Sequence, residues 1–287
     1  MRSTAGVLLD SIDFGHGARP HDVVFNASGT FAYVSLKGGG KIVRINPSIS
    51  PLQVDAELDA GDTVTAIAVN SSTDELLLNR FISPDTAGEI HLYKNVGGAI
   101  GFAQTIALAV DTTSVEDGES ARGLPNYLAD VAIDPFGEFA YVTAKQDNIL
   151  RGGFKDGQPL THETSVRAIV SKIDLASNTE VDRLDIDNSS QPSALAFSPL
   201  GDYLFIALQG NNHIRVRDSF SGSLIATLET GLAPQGMCFD SSSNRLFVKN
   251  LTAEFYDSAR AERKRFDESA VGLVSFRQLR QRQLTCH

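Results

Sequence analysis

Short apolar runs recur along the chain. Each is closed by a small polar turn and followed by a second run carrying aromatic or β-branched residues. The paired runs are 23–25 and 31–34, 66–69 and 76–78, 131–133 and 139–142, 194–197 and 203–206, and 237–239 and 246–248. Between them stand Asn26-Ala27-Ser28-Gly29, Asn70-Ser71-Ser72-Thr73, Asp134-Pro135-Phe136-Gly137, Ser198-Pro199-Leu200-Gly201 and Asp240-Ser241-Ser242-Ser243. Asn, Asp or Ser at the first place caps such a turn, and glycine at the fourth supplies a positive φ. Thr73 and Ser243 occupy that fourth place in the second and fifth copies, which predicts looser turns or turns of another type.

A strand–turn–strand unit cannot bury both faces alone, so the copies must stack on one another. A repeat of about 40 residues built from strands points to a β-propeller. The predicted fold class is therefore all-β, a propeller of four-stranded antiparallel blades, with blades opening near 20, 63, 126, 191 and 234. Residues 6–14 alternate as one further strand. Lys37-Gly38-Gly39-Gly40 reads as a hairpin loop, and 110–123 as a polar surface loop. A long excursion, 145–167, interrupts the third blade. The propeller repeats are assigned to 1–258, and 259–287 to a charged, irregular C-terminal tail.

The 287 residues suffice for one large β domain, and their longest apolar runs are too short for a membrane span. The apolar stretch at 7–9 is too short for a signal peptide. Net charge is −10 overall. The tail carries +4 and the body −14, which argues against nucleic acid as a partner. Two cysteines make no disulfide framework, and Cys238, between Met237 and Phe239, reads as a small buried hydrophobe.

With the turns, Phe-Ala-Tyr-Val at 31–34 and 139–142 resembles the YVTN β-propeller repeats of surface-layer and periplasmic proteins. Two stretches are more specific: Arg122-Gly123-Leu124-Pro125-Asn126-Tyr127-Leu128, and Lys145-Gln146-Asp147-Asn148-Ile149 with Arg151-Gly152 and Asp156-Gly157. Together with 165–175 and 191–194, they are similar to the propeller part of large exported bacterial proteins. In those, a YVTN propeller is often joined to c-type cytochrome segments similar to di-haem peroxidases. The resemblance implies a seven-bladed ring in the periplasm or outside the cell, serving as a scaffold for electron-transfer modules. Only about five blades are visible here. The charge-dense stretches at 259–265 and 277–282 break the pattern, and an incomplete gene product with a frameshift near Ala253 is the expectation they raise.

Candidate chemistry is sparse. The residues that open the blades (His21, Asp22, Asn126, Tyr127, Gln191, Ser193 and Gln235) should line one mouth of the central channel. They could hold a ligand or ion, or bond to one another and to channel water. Lys145, Asp147, Asn148 and Arg151 on the excursion are candidates for docking a protein partner, such as a c-type cytochrome module. Asp185-x-Asp187-Asn188 lacks the further oxygen ligands of a Ca²⁺ site, so a turn is expected there. Cys286-His287 lacks the first cysteine of a haem-attachment motif, Gln283 standing in its place. No cofactor is assigned to this chain, and haem c is left to a longer product. No catalytic residue or metal ligand is assigned, because no nucleophile elbow, zinc helix or phosphate loop is present. The reading is a non-catalytic binding propeller. Its rivals are the propeller portion of a cytochrome and a lactonase-like hydrolase working at the channel mouth.

Overall fold

The computed structural model describes residues 8–61, 63–96, 98–117, 120–186, 189–240 and 245–252, and the backbone of three later strands. The first blade is β1 (Pro20–Phe25), β2 (Ala32–Leu36), β3 (Lys41–Ile45) and β4 (Val54–Asp59). The second is β5 (Val64–Val69), β6 (Leu76–Arg80), β7 (Ala87–Val96) and β8 (Ala99–Ala109). The third is β9 (Leu124–Ile133), β10 (Phe139–Asp147), β11 (Val166–Asp174) and β12 (Thr179–Ile186), with one helical turn, α1 (His162–Ser165), ahead of β11. The fourth is β13 (Pro192–Phe197), β14 (Tyr203–Leu208), β15 (His213–Asp218) and β16 (Leu224–Glu229). Each is an antiparallel meander in chain order.

The fifth sheet joins β17 (Leu232–Asp240) and β18 (Arg245–Thr252) to β21 (Val271–Ser275). A hairpin of β19 (Glu254–Asp257) and β20 (Glu262–Arg265) lies between them in sequence. Strands at 262–265 and 271–275 correct the expectation of an irregular tail. The run Val271-Gly272-Leu273-Val274 is too short to signal a strand locally, and it is ordered by pairing with distant β18. The segment before the first blade is corrected too. Residues 9–15 form no strand, and Ile12, Phe14 and Ala18 instead pack on the outer face of the first blade over Ala32, Val34, Val43 and Ile45.

The turns follow their sequence. Asp134 Oδ1 accepts the amides of Phe136 and Glu138 at 3.0 Å, Asn26 Oδ1 accepts that of Phe31 at 2.9 Å, and Ser198 Oγ that of Tyr203 at 3.0 Å. The second copy, lacking glycine, closes one residue later, with Asp74 in the left-handed region at φ 58°. Ser243 lies outside the described residues.

Each blade buries its faces against the next. Tyr33, Ile42, Val64, Leu76 and Leu78 fill the first seam, and Leu77, Ile90, Leu128, Val142 and Ile169 the second. Ile186, Leu195, Ile206 and Leu208 fill the third, and Phe205, Ile214, Val216, Leu246 and Val248 the fourth. The inner strands β1, β5, β9, β13 and β17 adjoin in that order, whereas β17 and β1 do not adjoin in the same way. The described residues therefore form an open ring.

Cys238 is exposed, which corrects its reading as a buried hydrophobe. Its counterparts Val24, Ala132 and Ala196 face the following blade. No described blade follows the fifth.

Candidate functional site at the channel mouth

The five inner strands surround an axial cavity of about 890 Å³. Its far end is apolar, with Phe25, Val69, Ile133 and Met237. Its near end is polar, with His21, Asp22, Lys37, Gln191, Ser193, Gln209, Gln235 and Lys249.

Local backbone geometry builds this mouth. A left-handed residue stands just before the inner strand at Arg19 (φ 49°) and Thr63 (φ 55°), and inside it near a register shift at Tyr127 (φ 51°) and Ala233 (φ 53°). A non-glycine residue held there costs on the order of 1–3 kcal/mol, so the surrounding sheet must enforce it. The carbonyls of Arg19, Thr63 and Gln191 then accept the amides of Lys37, Phe81 and Gln209 at 3.0, 2.8 and 3.1 Å. Those bonds set the residue following each second strand at the rim.

Two polar clamps alternate around the ring. Asp22 Oδ2 accepts the amide of Ile67 in the next blade at 3.1 Å, and Asp130 Oδ2 accepts that of Leu195 at 2.6 Å. In the intervening seams, Thr65 Oγ1 donates to the Leu128 carbonyl at 2.8 Å, and Ser193 Oγ to the Pro234 carbonyl at 2.6 Å. Asp22 and Asp130 also accept the amides of their own successors, Val23 and Val131. Burial raises the carboxyl of Asp130 to about 7; the Leu195 and Val131 amides oppose the shift, and Asp22 adds to it.

The rim itself is cationic. Burial, then Lys37, lowers the pKa of His21; Asp22 opposes this, and Lys249 adds a smaller lowering. Burial, then Arg19, lowers that of Lys37. Lys37 Nζ lies 3.7 Å from the Phe81 ring centroid, Phe81 meets Tyr127 edge-on at 5.3 Å, and Lys145 Nζ lies 5.3 Å from the Tyr127 centroid. The result is a row in which cations flank two aromatic rings.

Of the expected mouth residues, His21, Asp22, Gln191, Ser193 and Gln235 do line the cavity. Asn126 and Tyr127 do not. Asn126 accepts the Ser83 amide at 2.9 Å and donates to Asp147 at 2.9 Å, while Tyr127 stands behind Phe81, which lines the cavity in its place. Sequence reading missed Lys37, Gln209, Lys249 and Asp130. For Lys37 and Gln209 a usable signal existed, because they stand eleven places after the first turn residue, as Phe81 and Lys145 do; Lys249 and Asp130 do not share that spacing.

The excursion is shorter than expected, since β10 extends to Asp147 and β11 resumes at Val166. Its base is a charge network. Glu116, its side chain 8% exposed, accepts from Asn148 at 2.7 Å, from Arg122 at 2.8 Å, and from Arg151. Arg151 Nε donates to the Pro159 carbonyl at 2.7 Å, and Arg122 reaches Asp156 at 3.4 Å. Asn148 and Arg151 therefore brace two loops against each other instead of facing outward. At the tip, Phe154 is fully exposed.

Asp185 is engaged by Arg167 Nη2 at 2.9 Å, and Asp187 and Asn188 lie outside the described residues, as do Cys286 and His287. Among the described residues, no group of three or more His, Cys, Asp or Glu could hold a metal ion, and no helix is long and apolar enough to cross a membrane.

This architecture is a β-propeller-like fold, and similar solved structures agree. A functionally unknown protein from Desulfotomaculum acetoxidans DSM 771 is similar at 13% identity with a TM-score of 0.55, over 88% of this chain and 70% of that one. A candidate 6-phosphogluconolactonase from Bacteroides uniformis is similar at 12% identity with a TM-score of 0.55, over 88% of this chain and 73% of that one. Kuenenia stuttgartiensis hydrazine synthase follows at 14% identity and a TM-score of 0.42, over 92% and 99%. The chain matches no protein-family model and no curated protein.

Proposed function

We propose that the chain is a non-catalytic binding propeller that docks a protein partner through its mouth face. The observation that carries this reading is Phe154, fully exposed on a loop whose base is locked by buried Glu116. An aromatic ring on a rigid support loses little freedom on binding, which is what an interface anchor requires. The adjoining loop carries Val115, 70% exposed. The resemblance to exported propellers joined to c-type cytochromes supports an electron-transfer protein as the partner, outside the cytoplasm. A photo-cross-linking side chain at position 154, and another at Ser177 in a hairpin at the opposite end of the third blade, test this in cells. The expected result is one discrete adduct from position 154 alone. Adducts that are equal from both positions, or absent from 154, overturn the reading.

A second reading, a hydrolase at the mouth, is favoured by His21, whose pKa is lowered as it faces the cavity. The fold similarity to the candidate 6-phosphogluconolactonase makes a lactone the substrate to try. Ring opening above background that disappears in His21→Gln would support it.

A further inference from the structure

The geometry points to a binding site for a small hydroxylated carboxylate at the channel mouth, held by Lys37 and Lys249 and oriented by Gln191, Gln209 and Gln235. This stands independently of whether a partner docks on the same face.

The first argument is charge placement. The chain is acidic overall, at −10, yet the cavity brings Lys37 of the first blade and Lys249 of the fifth within electrostatic reach of His21. Ion pairs among the described residues form elsewhere, as Lys41–Glu57, Arg44–Asp55, Lys94–Glu75 and Arg183–Glu180. Of the cavity's own acids, Asp22 offsets only part of the lysine charge. Asp22 and Asp130 each accept two backbone amides and serve as clamps between blades. Two lysines facing one cavity beside the single carboxylate of Asp22 leave an excess of positive charge there, and an anion relieves their repulsion.

The second argument is the chemistry of the remaining lining. Three carboxamides, Gln191 and Gln209 from the fourth blade and Gln235 from the fifth, line the same cavity. Each offers both donors and an acceptor, the complement of hydroxyl groups. The floor is apolar, with Val69, Ile133 and Met237, and can take a carbon skeleton. About 890 Å³ lies within the range of small-molecule sites. No Arg fork lines the cavity, and its amides are held within the sheets, so two point charges with amides fit a carboxylate better than a phosphate.

Citrate is the probe, with glucose as the neutral control, in titration calorimetry at low ionic strength. The expected result is saturable one-to-one binding of citrate and none of glucose. Lys37→Met and Lys249→Met should each weaken citrate about tenfold. Lys155→Met, on the exposed loop, should leave it unchanged. Gln235→Leu removes a rim amide without altering charge and gives a second readout, a further loss of several-fold. Melting curves without citrate show which variants are folded, and only those count. No binding to the folded wild type up to about 10 mM citrate overturns the proposal. So does an affinity that the rim variants leave unchanged, or one lost equally in Lys155→Met.

Discussion

Asp130 is the residue whose ionisation the fold perturbs most usefully. Its carboxyl is held near 7 by burial, well above the ordinary 3.8. The folded chain thus keeps a proton that the unfolded chain has released. The stabilisation is full below about pH 4 and is lost as pH rises through about 7. His21, lowered from 6.5, slopes the other way, so a difference curve isolates Asp130. In Asp130→Asn one of the two acceptor oxygens is replaced, costing about 1–2 kcal/mol. The gap between wild type and variant should narrow from pH 5 to pH 8, read from melting temperatures at each pH; a constant gap would refute this assignment. Gly137 makes a sharper steric case. It sits at φ +75°, and a Cβ there would stand 2.7 Å from Asn70 Oδ1 of the preceding blade, whereas Gly29, at φ +69°, has nothing within 4 Å. Gly29→Ala should cost about 1 kcal/mol from the backbone alone, and Gly137→Ala about 2–3 kcal/mol, the excess measuring how tightly the blade turns nest. Denaturant midpoints of the two variants give that difference directly.

At the scale of elements, the turns and inner strands were legible because their signals are local. Asn26, Asp134 and Ser198 hydrogen-bond within five residues, and period and composition suffice to find them. The partners of the clamps were not legible, because Thr65 meets Leu128 and Asp130 meets Leu195 across more than sixty positions, although Asp130 stands four places before its turn residue just as Asp22 does. The same limit hid the brace. Asn148 and Arg151 read as a docking loop until Glu116, more than thirty positions away, is placed against them. That brace makes its own prediction. Glu116→Gln keeps the shape but takes from Arg151 its anion and leaves Arg122 only the longer contact with Asp156, in a partly buried setting, which frees the loop around Phe154. Limited trypsin digestion should cut after Lys155 about tenfold faster. The melting temperature should move little, since the blade seams do not include the loop. A large fall in stability at an unchanged cleavage rate would mean that Glu116 supports the core and not the loop.

For the molecule as a whole, the consequence of stacking is that each blade shields one face of its predecessor. Val24, Ala68, Ala132 and Ala196 occupy one repeated position, and each packs at the seam with the blade that follows. Cys238 is the fifth member of that series and is exposed. The face it marks also carries Leu251, 55% exposed, and across the opening the first blade presents Val23 and Phe25, 55% and 56% exposed. An open ring with apolar groups on both sides of the gap differs chemically from a closed one at a single accessible atom, the Cys238 sulfur. With Cys286 replaced by Ser so that only one thiol remains, an open ring predicts reaction of Cys238 with a soluble disulfide reagent at the rate of an unfolded control, within about threefold. If the face is covered in solution by another sheet, whether from a second copy or from a partner, the reaction should slow by a factor of about a hundred or more, the fraction of time the seam is open setting the rate. Dilution separates the cases: cover by a second copy lifts as protein concentration falls, whereas an open face reacts at the same rate throughout.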